Sequence, residues 1–274
     1  MLVRGVLSMH TSSWNTLRDL IATRGINGEV IVSCELGLSH NGDVGLAMKM
    51  IEAAAEAGCQ AVKVQNYRTG DVVKSRADEI SVDVWKLSAW ELFSSCELAL
   101  DELKAIKDHA ESCGLIFHST PTNEQGIRDL KSLGVRIVKI ASDVALTPDI
   151  IRYAHQQQME TIISMGCLGF GDIEHLPYGS LLLHCVREYP TSLAHAALSR
   201  IGELRIVRSK YAAPLIGYSD HCEGIDCAVS AVRDYKACWV EVHTTLDHSL
   251  PGPDHRWSKT FSEVAELVRK LKNA

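Results

Sequence analysis

Directly behind short apolar runs, this 274-residue chain places polar or charged side chains at eight successive points. In order these are Glu35, Lys63 with Gln65, Ser119 with Thr120, Lys139 with Ser142, Ser164, His184, Ser219 through His221, and Glu241 with His243. Two lysines with the hydroxyls of Thr120, Ser142 and Ser219 are the materials of a cradle for a phosphate or a carboxylate: ammonium groups supply point charge and hydroxyls supply hydrogen bonds. A lone lysine in such a place would as readily pair with a core acid, but two on facing strands favour the cradle. His221 and His243 have the donors to share one divalent ion, and two imidazoles with water and a ligand oxygen suit Mn²⁺, Fe²⁺, Co²⁺ or Zn²⁺. Glu35 is a candidate acid, base or support for a metal ligand, with an ion pair to one of the lysines as the plainer reading. His10, His109, His155 and His195 fall on surface stretches and take no role.

These groups need a frame that brings eight run ends together. The runs 30–34, 61–65, 115–119, 135–140, 161–165, 180–185, 215–218 and 239–243 are short and nearly continuously apolar, as parallel strands covered on both faces are. Between them lie helical patterns. In 44–57 the positions Val44, Ala47, Met48, Ile51, Ala54 and Ala55 form one stripe that Gly58 ends. Segments 98–112 and 124–133 stop at Gly114 and Gly134 in the same way, and further helices are predicted at 149–157, 195–208, 225–235 and 261–272. Eight strands interleaved with helices predict an α/β fold, a single-domain (β/α)8 TIM barrel over 29–274, with 1–28 as an N-terminal extension. An open doubly wound sheet is the alternative, weakened by the lack of a Gly-rich dinucleotide fingerprint after the first strand. Barrel active sites lie at the carboxyl ends of the strands, where the polar groups stand. The 66–97 connection is long enough to be functional, and the helix expected between 166 and 178 is short or missing.

Composition narrows the partners. Twenty-eight Lys and Arg against thirty-four Asp and Glu leave a formal charge of −6, with no basic tract, which argues against nucleic acid or a membrane surface. Hydrophobic content of 46% and charged content of 23% are those of a soluble globule. No run reaches the roughly 20 apolar residues of a membrane span, and the first 28 residues carry no secretory h-region. Nine cysteines, an odd number scattered through periodic segments, read as small buried hydrophobes in a reducing compartment. Cys222 and Cys227 have no second pair to complete a zinc site. The expected location is the cytoplasm.

The strand-end motifs carry a resemblance. Cys34-Glu35-Leu36-Gly37 followed by Ser39-His40-Asn41-Gly42-Asp43 resembles the opening of the sialic acid synthase family. Further matches are Ala61-Val62-Lys63-Val64-Gln65, Ser119-Thr120-Pro121, Val138-Lys139-Ile140-Ala141-Ser142, His184-Cys185 and Glu188-Tyr189-Pro190. The series closes with Gly217-Tyr218-Ser219-Asp220-His221, Val242-His243-Thr244-Thr245-Leu246-Asp247 and Leu250-Pro251-Gly252-Pro253-Asp254-His255. The resemblance implies condensation of phosphoenolpyruvate with an N-acylated amino sugar, such as N-acetylmannosamine, to a 2-keto-3-deoxy nonulosonate. It implies Lys63, Thr120, Lys139, Ser142 and Ser219 for the enol phosphate and carboxylate, and Ser164 after the fifth strand and the cation Arg187 join that set by their own chemistry. Glu35, Gln65, Tyr189 and Asp247 would lie around the sugar aldehyde and the reacting carbons. His221 and His243 would ligate a divalent metal, Mn²⁺ first with Co²⁺, Mg²⁺ or Zn²⁺ as alternatives, as Lewis acid for the aldehyde. A homodimer is expected.

Departures from the pattern fall on the sugar side. The family's Gly-Glu after Lys-Ile-Ala-Ser is Asp143-Val144 here, Arg187 stands where a small polar residue is usual, and Val242 replaces a common lysine. The C-terminal antifreeze-like domain of family members, which lends an arginine to the partner's sugar site, has no counterpart in these 274 residues. Two other readings remain. One is an octulosonate- or heptulosonate-phosphate type of synthase taking a phosphorylated sugar, with Arg187 or Arg68 as the added cation. The other is a non-catalytic sugar-binding paralogue.

Overall fold

A computed structural model of the chain describes residues 15–73, 88–209 and 214–273. His10, the first half of the 1–28 extension and much of the 66–97 connection lie outside them. Eight strands pair in parallel and in chain order: β1 (Ile31–Glu35), β2 (Ala61–Asn66), β3 (Ile116–Pro121), β4 (Ile137–Ile140), β5 (Glu160–Ser164), β6 (Leu181–His184), β7 (Ile216–Asp220) and β8 (Trp239–Thr245). β8 returns to β1 in continuous register from Ile31↔Trp239 to Glu35↔His243, so the sheet closes as the (β/α)8 barrel, and the open sheet is excluded. A two-residue strand, β9 (Lys259–Thr260), adds to the end of β8.

Helices fill the connections: α1 (Leu17–Arg24), α2 (Val44–Glu56), α3 (Thr69–Val72), α4 (Ala89–Cys96), α5 (Leu100–Ser112), α6 (Glu124–Ser132), α7 (Pro148–Gln156), α8 (Ser199–Arg208), α9 (Asp226–Arg233) and α10 (Phe261–Lys272). Only a 3-10 turn, Phe170–His175, stands between β5 and β6, as the shortened sequence there predicts. The long 66–97 connection contributes α3 and α4. Among the described residues no helix is long and apolar enough to cross a membrane. All nine cysteines are free.

Strand geometry sends alternate side chains inward and outward. Outward residues such as Val32, Val62, Val138, Ile163 and Val240 are buried against the helices. The inward set is graded along the barrel axis. Its lower layer, Ile31, Ala61, Ile116, Ile137, Leu181 and Trp239, forms one apolar cluster with Leu17, Leu20 and Ile21 of α1. Two residues further along, β6 keeps an apolar residue, Leu183, while the other five strands yield Ser33, Lys63, His118, Lys139 and Glu241, and after them come Glu35, Gln65, Thr120 and His243. Gly217 makes room for the largest member of the floor: a Cβ there would lie 2.4 Å from the Trp239 carbonyl oxygen and 2.6 Å from Leu183 Cδ2.

α1, like α3, α4 and β9, is an element that the sequence reading did not place. Its start is marked by a capping box, with Thr16 and Asp19 each accepting from the other's backbone N–H. It seals the lower end of the barrel, and the Leu17 N–H donates to Glu160 Oε2 at 3.0 Å. Leu17 and Leu20 have no exposed surface. Leu20→Ala is expected to cost about 2–5 kcal/mol, because the closed floor cannot collapse onto the cavity. Urea unfolding followed by circular dichroism checks this, and a loss below about 1 kcal/mol would show that the plug is dispensable.

Candidate active site

Four charged groups occupy the centre of the barrel, all nearly fully buried. Lys63 Nζ on β2 is in contact with Glu35 Oε2 on β1 and lies 3.6 Å from Glu241 Oε1 on β8. Lys139 Nζ on β4 lies 3.2 Å from the same Glu241 oxygen. Isolated charges at such depth are very costly, so each must be paired. Burial pushes Lys63 down to about 7, against the upward pull of Glu241. Burial opposes the charge on Lys139 too, yet Glu241 raises it above the ordinary lysine value. Glu241 is held well below the usual carboxylate range: burial works against it, and Lys139 with Lys63 outweighs burial. Ser219 donates to Glu241 Oε1 at 3.0 Å. Among the buried polar atoms, Glu241 Oε2, Thr120 Oγ1 and Ser164 Oγ have no partner within the protein.

The two histidines meet beside this cluster, with ring centroids 5.6 Å apart. Tyr189 lies 4.1 Å from the His221 ring, and Trp257 lies 4.6 Å from the His243 ring. Burial brings His221 down to about 4 and His243 well below the ordinary histidine value, so both rings are neutral at pH 7. His221 Nδ1 is 2.5 Å from the Val186 carbonyl oxygen, which makes it the donor and leaves Nε2 with a lone pair. His243 Nδ1 is buried without a hydrogen-bond partner, 3.8 Å from Asp254 Oδ2. Neutral imidazoles, one oriented by a backbone carbonyl and one beside a carboxylate, fit a divalent ion. Among the described residues, however, no group of three or more His, Cys, Asp or Glu is arranged to hold a metal alone. Such an ion would therefore need oxygen ligands from substrate or water.

His221 is placed by a second buried pair behind it. Lys259 Nζ lies 3.2 Å from Asp220 Oδ2 and also donates to the Cys222 carbonyl oxygen. Asp220 Oδ1 accepts from Tyr218 Oη at 3.2 Å and from the Cys222 N–H at 2.9 Å. Both residues flanking His221 are thus tied to β9. Gly37 allows the approach on the other side: at φ +53°, a Cβ there would lie 2.6 Å from Asp254 Oδ2 and 3.1 Å from His243 Nδ1.

A cavity of about 470 Å³ opens above these groups. Of the residues expected from sequence, Glu35, Lys63, Gln65, Thr120, Lys139, Tyr189, His221 and His243 line it. Ser219 lies just beneath, bound to Glu241. Ser164 is buried. Ser142 and Arg187 converge on Gly166, where a Cβ would lie 2.7 Å from Ser142 Oγ and 3.1 Å from Arg187 Cγ, outside the cavity lining. Asp247 is also outside it, exposed and accepting from the Ser249 N–H at 2.7 Å. The carboxyl that the β8 side sends into the cavity is Asp254. Sequence reasoning assigned no role to Glu241, Asp254, Tyr67, Phe93 or Trp257. Glu241 carried a signal, a carboxylate inside the apolar run Trp239 to Val242 at an inward position. Tyr67 and Phe93 carried none, being brought together only by the fold of the 66–97 connection, with ring centroids 5.6 Å apart.

Residues 50–274 match the NeuB family. The chain belongs to the NeuB family. Among its relatives, the N,N'-diacetyllegionaminic acid synthase of Legionella pneumophila is 33% identical over 93% of this chain and 74% of that protein. That of Campylobacter jejuni is 30% identical over 89% and 76%. The N-acetylneuraminate-9-phosphate synthase of Drosophila melanogaster is 29% identical over 94% and 71%. Among solved structures, the N-acetylneuraminic acid (sialic acid) synthetase of Leptospira borgpetersenii superposes with a TM-score of 0.79 at 31% identity, covering 89% of this chain and 83% of that one. A truncated 3-deoxy-D-arabino-heptulosonate 7-phosphate synthase from Thermotoga maritima reaches 0.64 at 12% identity over 89% of this chain and 86% of that one, a likeness of fold alone. In this NeuB chain, Lys259→Met removes the partner of a fully buried carboxylate. It is expected to cost about 3–5 kcal/mol in urea unfolding. Adding Asp220→Asn should recover part of that loss, and a double variant no better than the single one would overturn the pairing.

Proposed function

We propose that this NeuB protein joins phosphoenolpyruvate to the open-chain aldehyde of an N-acylated amino sugar, giving a nonulosonate-type 2-keto-3-deoxy sugar acid and free phosphate. Family membership supports the condensation class. The observation that carries it to this chain is the buried Lys63–Glu241–Lys139 cluster beneath a cavity that also holds Glu35 and both histidines. A sugar-binding paralogue without turnover has no use for two lysines held at such cost beside two neutral imidazoles.

In this reading Lys63, Lys139 and the Thr120 hydroxyl receive the phosphate and carboxylate of phosphoenolpyruvate. Its vinyl carbon forms a bond to the aldehyde carbon, and the aldehyde oxygen becomes a hydroxyl. Water adds to the cationic enol carbon with loss of a proton. The tetrahedral centre then expels phosphate by C–O cleavage and leaves the ketone. Glu35 stands within the same cluster to take the proton released by water and return it to the aldehyde oxygen, and the hydroxyl proton of the tetrahedral centre leaves with the phosphate. Tyr189 walls the acceptor against His221. His221 and His243 would hold a divalent ion, Mn²⁺ by preference, which when bound supplies Lewis acidity at the aldehyde oxygen. The reading includes a homodimer in the cytoplasm, where the nine free thiols are at home.

The test is phosphate release from phosphoenolpyruvate with N-acylated sugars, with product masses read in parallel. Sugar-dependent release with the summed carbon skeleton is expected. Chelation should abolish it and Mn²⁺ restore it, whereas His243→Ala should stay silent with added metal while still binding phosphoenolpyruvate; activity that survives chelation would remove the metal from this reading. The pH dependence has a definite sign. Because burial lowers Lys63 to about 7, its positive charge is lost as pH rises through that value. KM for phosphoenolpyruvate should therefore climb by up to about tenfold from pH 7 to 8, and Lys63→Arg, which keeps its charge, should flatten the rise. A KM that is level over this range in the unmodified enzyme would contradict the assignment.

A further inference from the structure

The upper wall of the cavity differs in charge from its floor. Lys63 and Lys139 are the only cations lining it among the described residues, and the condensation reading commits both to phosphoenolpyruvate. The rest of the charged lining is carboxylic: Glu35 at the floor, and Asp71, Asp143 and Asp254 higher up. Asp71 and Asp143 are exposed at the mouth. Asp71 is fixed there by Asn123, whose Nδ2 donates to its Oδ2 at 2.8 Å. The two arginines that a phosphorylated acceptor would call on are elsewhere. Arg68 donates to the Leu98 carbonyl oxygen at 3.2 Å and lies 3.8 Å from Glu97, while the stem of Arg187 crosses Gly166. Between the carboxylates the wall is apolar, formed by Leu38, Val72, Phe93 and Val144.

We propose that Asp71 and Asp143 are specificity determinants that reject a phosphorylated acceptor, so that the sugar taken by this site is uncharged and presents acyl or deoxy carbon to the apolar wall. The proposal rests on the condensation reading and narrows it. A phosphomonoester brings roughly 1.5 to 2 negative charges at pH 7. Placed at this mouth it meets two exposed carboxylates and no cation of the described lining, and charges there are screened over about 8 Å at physiological salt. An uncharged sugar loses nothing there, and its acyl methyls gain contact with Val72, Phe93 and Val144.

The experiment compares N-acetylmannosamine, 2,4-diacetamido-2,4,6-trideoxymannose and N-acetylmannosamine 6-phosphate as acceptors, by phosphate release and product mass with phosphoenolpyruvate and Mn²⁺. One of the uncharged sugars should exceed the phosphorylated one by at least about tenfold in kcat/KM. That advantage should shrink toward about 1 M salt, where the screening length is roughly 3 Å. Asp143→Lys should lower KM for the 6-phosphate and narrow the ratio by about tenfold, while Asp143→Asn should move it in the same direction by less. Preference of the unmodified enzyme for the 6-phosphate, or a ratio indifferent to salt and to both variants, would overturn the rim. Silence with every acceptor would instead overturn the condensation reading from which the proposal starts.

Discussion

The ion cluster Glu35–Lys63–Glu241–Lys139 is the constraint on which the remainder of the structure turns. Its members come from β1, β2, β4 and β8, and β8 reaches the other three only if the sheet closes. With water excluded, none of the four can remain charged without the others. An open sheet of the same strands would leave Glu241 at one edge and Lys63 far from it. Closure is thus required by the charges as well as by the apolar outer faces, and it is supplied by the continuous β1–β8 register.

Polar groups can sit so deep because the floor below them is dry. The apolar layer around Trp239, sealed by Leu17 and Leu20 of α1, separates the cluster from solvent at the lower end. Access is confined to the carboxyl ends of the strands. The gradient from isoleucine to lysine to histidine along the inward face is therefore one device: the lower third stabilises the fold, and the upper two thirds use that stability to hold charge. Thr120 Oγ1 and Glu241 Oε2 show the cost, being buried polar atoms without a partner in the protein. Each such atom costs about 1–3 kcal/mol, a strain typical of sites kept ready for a ligand.

Much of this was legible in the sequence, for identifiable physical reasons. The strands showed themselves because both of their faces are buried, which forces nearly continuous apolar runs. Lys63, Lys139, His221 and His243 stood out because nothing apolar explains them at the ends of such runs. α1 was missed since its apolar residues are few, although Thr16 and Asp19 mark its start. Glu241 was seen without being given a role, because its partnership with two lysines exists only after closure. Asp254 lines the cavity and the expected Asp247 does not for a similar reason: both follow β8, and the loop path, with Leu38 N–H donating to Asp254 Oδ2 at 3.0 Å, decides which one turns inward.

The same reasoning explains why the two ends of the cavity carry different information. Its floor is specified by pairs and networks across strands, where changing one member strands another, as with Lys259 and Asp220 behind His221. Such a floor suits a ligand whose charge never varies. The mouth is made of residues outside that ion cluster, Asp71 on α3, Asp143 after β4 and Phe93 on α4, on connections between the barrel strands. None of these three residues is a partner in the ion cluster. Asp143 and Val144, two of the positions where this chain departs from the family pattern, both line that mouth.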